Sequence, residues 1–329
     1  VNAADSSSPP PPALSIALLS FNRRAALQRT LSELAALDST RLGGTLQIIV
    51  CDNGSSDGSA DHIAAHWPHV QLVRLSTNIG VAGFNRAAAL ATSDIILILD
   101  DDAWPDPESL YAALNHLRAT PSLGGIMLHR RHPATGNPEW PPDGISLSGI
   151  QADWPDFGCA NLVRRECWER VGGYEDAFFL YRNDTDLALK LKAAGHDVAF
   201  NPAWLAWHDS VIAAIKTIRW LHLSTRNWIW MSRRHATGLR GILGCIMGIA
   251  RALVLARFRP AGVLAVCRAI VDGLTQSAPP LPANLIADGK AFNRLIHLKR
   301  TLRTTRHTPP PATLSLPGSV TTNTSTPKS

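Results

Sequence analysis

The run Ile95-Ile96-Leu97-Ile98-Leu99-Asp100-Asp101-Asp102 constrains this chain more than any other stretch. Five consecutive apolar residues rich in isoleucine read as a strand buried on both faces, the kind found inside a parallel sheet covered by helices. Three carboxylates follow at the point where that strand leaves the sheet. Negative charge gathered there without a partner is costly, or it forces proton uptake. A cation solves the problem, and the carboxyl end of a strand is where open α/β sheets bind ligands. Hard oxygen ligands favour Mg²⁺ or Mn²⁺, ions that bridge protein carboxylates to a diphosphate. The alternative for the same residues is a solvated acidic turn ahead of a helix, since Asp106-Pro107-Glu108 carries a helix N-terminal signature.

Strand and helix alternate through the first half. Residues 14–19, 46–51, 70–75 and 95–99 read as strands. Residues 25–36, 61–66, 84–91 and 107–119 read as helices between and after them. That order implies a parallel, doubly wound sheet. Turn residues and acids follow the strands: Ser20 to Arg24, Asp52 to Gly58, and Asn78 to Gly83. Further strands are expected over residues 125–129, 157–163 and 198–206, and helices over 165–171 and 184–194. The segment 132–156 is a long loop with Trp140 and Trp154, and loops of that length are functional or disordered.

The chain of 329 residues, 45% of them hydrophobic, is long enough for a large α/β domain with appendages. Its five cysteines form no C-x-x-C pair, which points to a reducing compartment, free thiols and no zinc site. Residues 1–12 read as a polar, disordered leader without a secretory signal. The net charge of +6 hides a division: residues 1–210 sum to −9 and residues 211–306 to +14. Such asymmetry suggests a basic appendage that meets an anionic surface, or else a solvated basic helix pair. Residues 212–276 read as amphipathic helix punctuated by Gly238 and Pro260. Their most apolar window, 239–256, fits an interfacial helix with snorkelling arginines or a core helix, and is marginal as a membrane span. Residues 291–303 form a second basic amphipathic segment, and 307–329 a disordered tail. The expected organisation is therefore a leader (1–12), a nucleotide-binding half (13–123), an acceptor half (124–210), a basic helical extension (211–306) and a tail (307–329).

Three separated acidic elements suggest one site. Asp52 ends the second strand, where a carboxylate can accept hydrogen bonds from a nucleobase or ribose. Asp100-Asp101-Asp102 ends the fourth. Asn183-Asp184-Thr185-Asp186-Leu187 opens a helix, where a carboxylate either caps the helix or acts as a general base in a cleft. His208 follows the last strand and can join carboxylates in a hard-metal site.

The order of these motifs resembles family 2 glycosyltransferases of the GT-A fold, in particular bacterial rhamnosyltransferases and galactofuranosyltransferases of cell-surface polysaccharide assembly. The resemblance rests on Ser20-Phe21-Asn22-Arg23, Cys51-Asp52-Asn53-Gly54, Asn78-Ile79-Gly80, Gly83-Phe84-Asn85-Arg86, Leu99-Asp100-Asp101-Asp102, Gly158-Cys159-Ala160-Asn161, Val171-Gly172-Gly173-Tyr174, Asp184-Thr185-Asp186-Leu187, His208 and Arg226-Asn227. It implies a mostly parallel, Rossmann-like central sheet flanked by helices, with an amphipathic helical extension. It implies that Ser20, Asn22, Arg23, Asp52, Asn53, Asn78, Gly80, Asn85, Asp100 and Asp101 bind a nucleotide-diphosphate sugar. Asp100, Asp102 and His208 would hold Mn²⁺ or Mg²⁺, and Asp184 would be the catalytic base. Asn183 departs from the pattern by replacing the family's usual Glu, so Asp186 could share the base role. Trp140, Trp154 and Trp207, with Asp186, are the candidates for contact with the acceptor, the tryptophans being equally suited to anchor core or loop.

The implied reaction is single displacement with inversion, from a UDP- or dTDP-sugar to a hydroxyl of a glycan or lipid-linked acceptor. The implied setting is the cytoplasmic face of an anionic membrane, with nucleic acid not expected as a partner. Two rivals remain: a nucleotidyltransferase, whose basic Gly-rich loop the first turn lacks, and a non-catalytic membrane-associated module that binds sugar nucleotides.

Overall fold

A computed structural model of the chain describes residues 10–297, apart from 142–146, 148, 211–215, 237, 277–279 and 288–290. Most of the expected leader, the whole tail and the end of the 291–303 segment lie outside the described residues.

In chain order the first half is β1 (Leu14–Ser20), α1 (Arg24–Ala35), α2 (Ser39–Leu42), β2 (Leu46–Asp52), α3 (Ser59–His66), β3 (Gln71–Arg74), α4 (Ala82–Ala88), β4 (Ile95–Asp100), β5 (Ala103–Pro105) and α5 (Pro107–Ala119). Then follow β6 (Leu123–Arg131), β7 (Asn161–Arg164), α6 (Arg165–Val171), α7 (Asn183–Ala193) and β8 (Asp197–His208). Three long helices close the described chain: α8 (Ile218–His235), α9 (Gly238–Leu255) and α10 (Pro260–Thr275). Residues 291–297 are helical as well.

The eight strands form one sheet in the order β3-β2-β1-β4-β7-β6-β8-β5. The first four are mutually parallel, as the alternation of elements implies. β7 runs antiparallel between β4 and β6, and β5 antiparallel on β8, so the sheet is mixed. β7 is shorter than the run of apolar residues suggests, because only Asn161–Arg164 finds ladder partners. The short β5 escapes sequence reading, since three residues carry no period.

Alternate residues of each strand enter separate cores. Ile16, Leu18, Leu97 and Leu99 pack with Leu27 and Leu31 of α1 and Leu110 and Leu114 of α5. Ala17, Ile49, Ile96 and Ile98 pack with Phe84 of α4, Trp168 of α6 and Leu187 of α7. Helices on both faces bury the strands, which is why β1 and β4 are apolar throughout. Asp106 caps α5 by accepting from Ser109 N at 3.0 Å, with Pro107 at the first helical position, as its sequence signature predicts.

α9 is unusual in how it divides its surface. Small residues, Gly241, Gly244, Gly248 and Ala252, recur at helical spacing, and a Cβ at Gly248 would stand 2.0 Å from Trp228 Cδ1 of α8. α9 therefore lies close against α8. Its bulky residues, Leu239, Ile242, Leu243, Ile246 and Val254, face outward and are exposed. The expectation of a buried core helix fails for this window. It is long and apolar enough to cross a membrane by length and composition alone.

Candidate active site

The parallel register aligns the strand ends. Ser20 of β1 pairs with Asp52 of β2, and Leu19 with Asp100 of β4, so the turns after three strands open side by side. Asp52 is buried; its Oδ2 accepts from Ser55 N at 3.1 Å, while Oδ1 is buried without a hydrogen-bond partner among the described residues. A buried acceptor left unpaired at a sheet's carboxyl edge suits a ligand donor such as a nucleobase or ribose hydroxyl. Asn22, at φ +53°, accepts from Ser56 N at 2.7 Å and lines the same opening. Ser20 is buried beneath it.

Other residues expected at the nucleotide hold the turns around the site. Asn53 donates to Asn78 Oδ1 at 3.0 Å and to the Gly80 carbonyl at 3.1 Å, and accepts from Ile79 N at 2.9 Å. Asn53 and Asn78 thus brace one loop. Gly80, at φ +65°, sits where a Cβ would be 2.0 Å from the Phe179 carbonyl oxygen, so only glycine fits the approach. Asn85 reaches the opposite way: it donates to the Tyr174 carbonyl at 2.8 Å and accepts from Tyr174 N at 2.9 Å.

The carboxylates after β4 have distinct surroundings. The pairing of β5 with β8 places Ala103 opposite His208, which brings the imidazole to the acidic turn. His208 Nε2 lies 3.0 Å from Asp102 Oδ1 and 3.9 Å from Asp100 Oδ2. Arg23 pairs with Asp102 Oδ2 and stands 3.6 Å from Asp101. Burial alone would raise the Asp102 carboxyl, but His208 and Arg23 hold it below the usual range. Asp101 turns away, accepting from Phe21 N at 3.3 Å on one carboxylate oxygen and from Thr30 Oγ1 at 2.9 Å on its carbonyl. Burial, with the neighbouring Asp102 charge, pushes Asp101 up to about 7.

Glu139 belongs to this cluster and has no spacing signal in the sequence. Its Oε1 lies 2.7 Å from His208 Nδ1, and its Oε2 accepts from Arg130 Nε at 3.0 Å. Burial would lower the His208 pKa, but its bonds to Asp102 and Glu139 prevail and push it up to about 10. One atom each of Asp100, Cys159 and His208 lies within 4.8 Å of the others. Burial pushes the Cys159 thiol well above its ordinary pKa, so it offers a weak donor. Asp100 and His208 converge on one point, and Asp102 reaches it through His208 Nε2; carboxylate and imidazole are donor types that suit Mn²⁺ or Mg²⁺.

Asp184, at the start of α7, lines a cavity of about 320 Å³ together with His208, Glu139, Arg130, Cys159 and Trp140. It accepts from Tyr174 Oη at 2.7 Å and from Asn183 Nδ2 at 3.3 Å. Burial pushes its carboxyl up to about 6, against the pull of Tyr174 and Arg130. Asp186 does not reach this cavity. It is fully buried, 3.0 Å from His235 Nε2 and 3.8 Å from Lys190 Nζ, and anchors α7 to α8. The expectation that it meets the acceptor or shares the base role does not fit that position. Trp154 is buried and stacks on Phe200 at 4.5 Å, which makes it a core residue. Trp207 precedes His208 in β8, and neighbouring strand residues point to opposite faces. Trp140 alone of the three tryptophans lines the cavity.

The loop that delivers Asp184 is strained. Phe179, Tyr181 and Arg182 all have φ between +61° and +71°. Asn227 of α8 holds this loop, with Nδ2 donating to the carbonyls of Phe178, Leu180 and Tyr181 at 2.8–2.9 Å. Arg226 adds bonds to the Ala177 and Phe178 carbonyls. Its sequence signal was the adjacent Arg-Asn pair.

Residues 15–187 match the model of glycosyl transferase family 2. The chain is 23% identical over 249 residues to an N-acetylglucosaminyl-diphospho-decaprenol L-rhamnosyltransferase of Mycobacterium tuberculosis, covering 60% of this chain and 81% of that protein. It is 25% identical over 167 residues to the succinoglycan biosynthesis protein ExoA of Rhizobium meliloti, covering 46% and 50%. Among solved structures, the mannosyltransferase PcManGT of Pyrobaculum calidifontis, in complex with GDP-Man and Mn²⁺, aligns with TM-score 0.53 at 19% identity over 90% of this chain and 83% of that one. S. aureus TarS 1-349 aligns with TM-score 0.57 at 12% identity over 89% and 87%. These two likenesses establish a shared fold, which is that of GT-A glycosyltransferases.

Proposed function

Because the chain belongs to glycosyl transferase family 2 and is a glycosyltransferase, we propose that it moves a sugar, with inversion, from a UDP- or dTDP-sugar to a hydroxyl of a lipid-linked or polysaccharide acceptor in cell-envelope synthesis. The observation that carries this reading is that Asp184 and His208 line one cavity, with Asp102 in contact with His208. The names of the Mycobacterium and Rhizobium relatives support the choice of acceptor class.

Asp52 and Asn22 receive the nucleoside, and Arg23 lies where the diphosphate passes the acidic turn. A divalent ion held by Asp100, Asp102 and His208 would supply positive charge for the departing diphosphate. Asp184 takes the proton of the acceptor hydroxyl. A carboxyl near pKa 6 is ionised at neutral pH yet basic enough to accept that proton. Tyr174 fixes which oxygen of Asp184 stays available, since it occupies Oδ1.

The outward apolar face of α9 and the basic charge of residues 211–306 support docking on an anionic, cytoplasmic membrane face near a lipid-linked acceptor. Donor screening by mass spectrometry, with and without EDTA, tests the whole reading. Transfer from one sugar nucleotide that stops on chelation is expected; full transfer in EDTA removes the metal role.

A further inference from the structure

A histidine presents itself to an ion through one of its two ring nitrogens. The nitrogen bonded to a carboxylate keeps its proton, and the other offers a lone pair to the metal. For His208 the fold decides which is which. Nε2 faces the acidic turn, 3.0 Å from Asp102 Oδ1 and 3.9 Å from Asp100 Oδ2. Nδ1 lies 2.7 Å from Glu139 Oε1.

Glu139 is itself held from three directions. It sits on the returning arm of a hairpin that leaves β6. His132 N donates to the Asn137 carbonyl at 2.9 Å, Arg131 bridges antiparallel to Pro138, and Glu139 N donates to the Arg130 carbonyl at 3.1 Å. That pairing sets the Glu139 side chain beside that of Arg130, whose Nε donates to Oε2 at 3.0 Å. Ser210 Oγ, two residues past His208, donates to Oε1 at 2.6 Å. Arg130 is fixed from its far side as well. Its Nη1 donates to the Cys159 carbonyl at 3.2 Å, and a Cβ at Gly158 would stand 1.4 Å from that nitrogen, so only glycine leaves room for the guanidinium.

The Arg130 and Glu139 side chains are 11% and 15% exposed, so this is an enclosed pair and not a solvated surface contact. A buried ion pair adds little net stability over well-packed apolar residues of similar volume. This pair has a different use for its second carboxylate oxygen, which goes to an imidazole that faces two aspartates. A carboxylate behind a histidine in that way fixes the ring's tautomer and orientation toward a metal.

We propose that Glu139 is a positioning residue for a divalent ion: it fixes the His208 ring through Nδ1, so that Nε2 is presented to the ion beside Asp100 and Asp102, and Arg130 fixes Glu139. The inference rests on the metal reading of the site and deepens it, because it adds to the residues facing the ion a pair that never touches it.

Titration of the full chain with Mn²⁺ in the presence of UDP, followed by the electron paramagnetic resonance of the free ion, tests this. Glu139→Gln should weaken Mn²⁺ binding by about 10- to 100-fold. Glu139→Asp keeps a negative charge opposite Arg130, which spares the fold an unpaired buried cation, yet draws the carboxylate back from Nδ1 by one methylene. A loss of about tenfold is expected there too. Both substitutions are then repeated in His208→Ala, which retains Asp100 and Asp102. In that background they should change Mn²⁺ affinity by less than about twofold, because Glu139 acts through the ring that is gone. Unchanged affinity in both Glu139 variants overturns the proposal. So does a loss of equal size with and without His208, which would make Glu139 a support of the fold alone. Wild type that takes up no Mn²⁺ removes the metal reading and this proposal with it, whereas wild type that binds Mn²⁺ with Glu139 indifferent removes this proposal only.

Discussion

Tyr174 donates a 2.7 Å hydrogen bond to Asp184, and Asn85 holds Tyr174 by both its backbone N–H and its carbonyl. Asn85 thus braces the residue that bonds Asp184. The hydrogen bond favours the ionised carboxyl, opposing burial. Tyr174→Phe removes that help, so the Asp184 pKa should rise above about 6. A base works only when ionised. The acid limb of the pH–rate profile for kcat should therefore move to higher pH, with the largest loss below neutrality and little loss in alkali. An unmoved limb separates Asp184 from the titration.

Asp184→Asn keeps shape and removes the base. Turnover should fall by about 10²–10⁴-fold, with nucleotide-sugar affinity retained by calorimetry. Full turnover in this variant refutes the assignment.

Asp186→Ala should do the reverse of Asp184→Asn. It leaves His235, Lys190 and Arg234 buried around a lost charge, which costs about 3–5 kcal/mol. Urea denaturation measures this. Burial would raise the Asp186 carboxyl, but His235 and its neighbours hold it low. A lowered folded pKa contributes stability above the unfolded value, about 3.9, and that contribution is lost as pH falls through the folded value. The gap between wild type and variant should therefore be full at neutral pH and narrow in acid.

Asn227→Ala frees the carbonyls of Phe178, Leu180 and Tyr181 from their shared donor. Stability should fall by about 1–3 kcal/mol. Because the freed loop carries Asp184, kcat should drop while the donor Kd stays near the wild-type value. A proportional loss of donor affinity would mean that the loop serves the nucleotide side as well.

Ile242→Asp with Ile246→Asp places charge on the exposed face of α9. Wild-type protein should float with acidic vesicles at low salt and the double variant should not. Wild-type protein that stays in the soluble fraction removes membrane docking from the proposal.

Local pattern carried the layered architecture. The period of apolar residues separates strands from helices, and the acids after Leu99 and Cys51 mark the sheet edge where a ligand belongs. The helix breaks at Gly238 and Pro260 were equally legible, because both residues act on the backbone within one turn. What lay beyond reach were contacts between distant residues. Asp184 and Asp186, two residues apart in α7, have the same local chemistry and lie more than half a turn apart; which of them faces the cleft and which His235 is decided by the packing of α8 on α7. Glu139 joins His208 only because β8 runs beside β6, where the loop carrying Glu139 begins. That the amides of Asn53, Asn78 and Asn85 also tie their turns together is visible only in the folded chain. Sequence period is set by neighbours a few residues apart; the partner of a side chain is set by which strands the sheet places together.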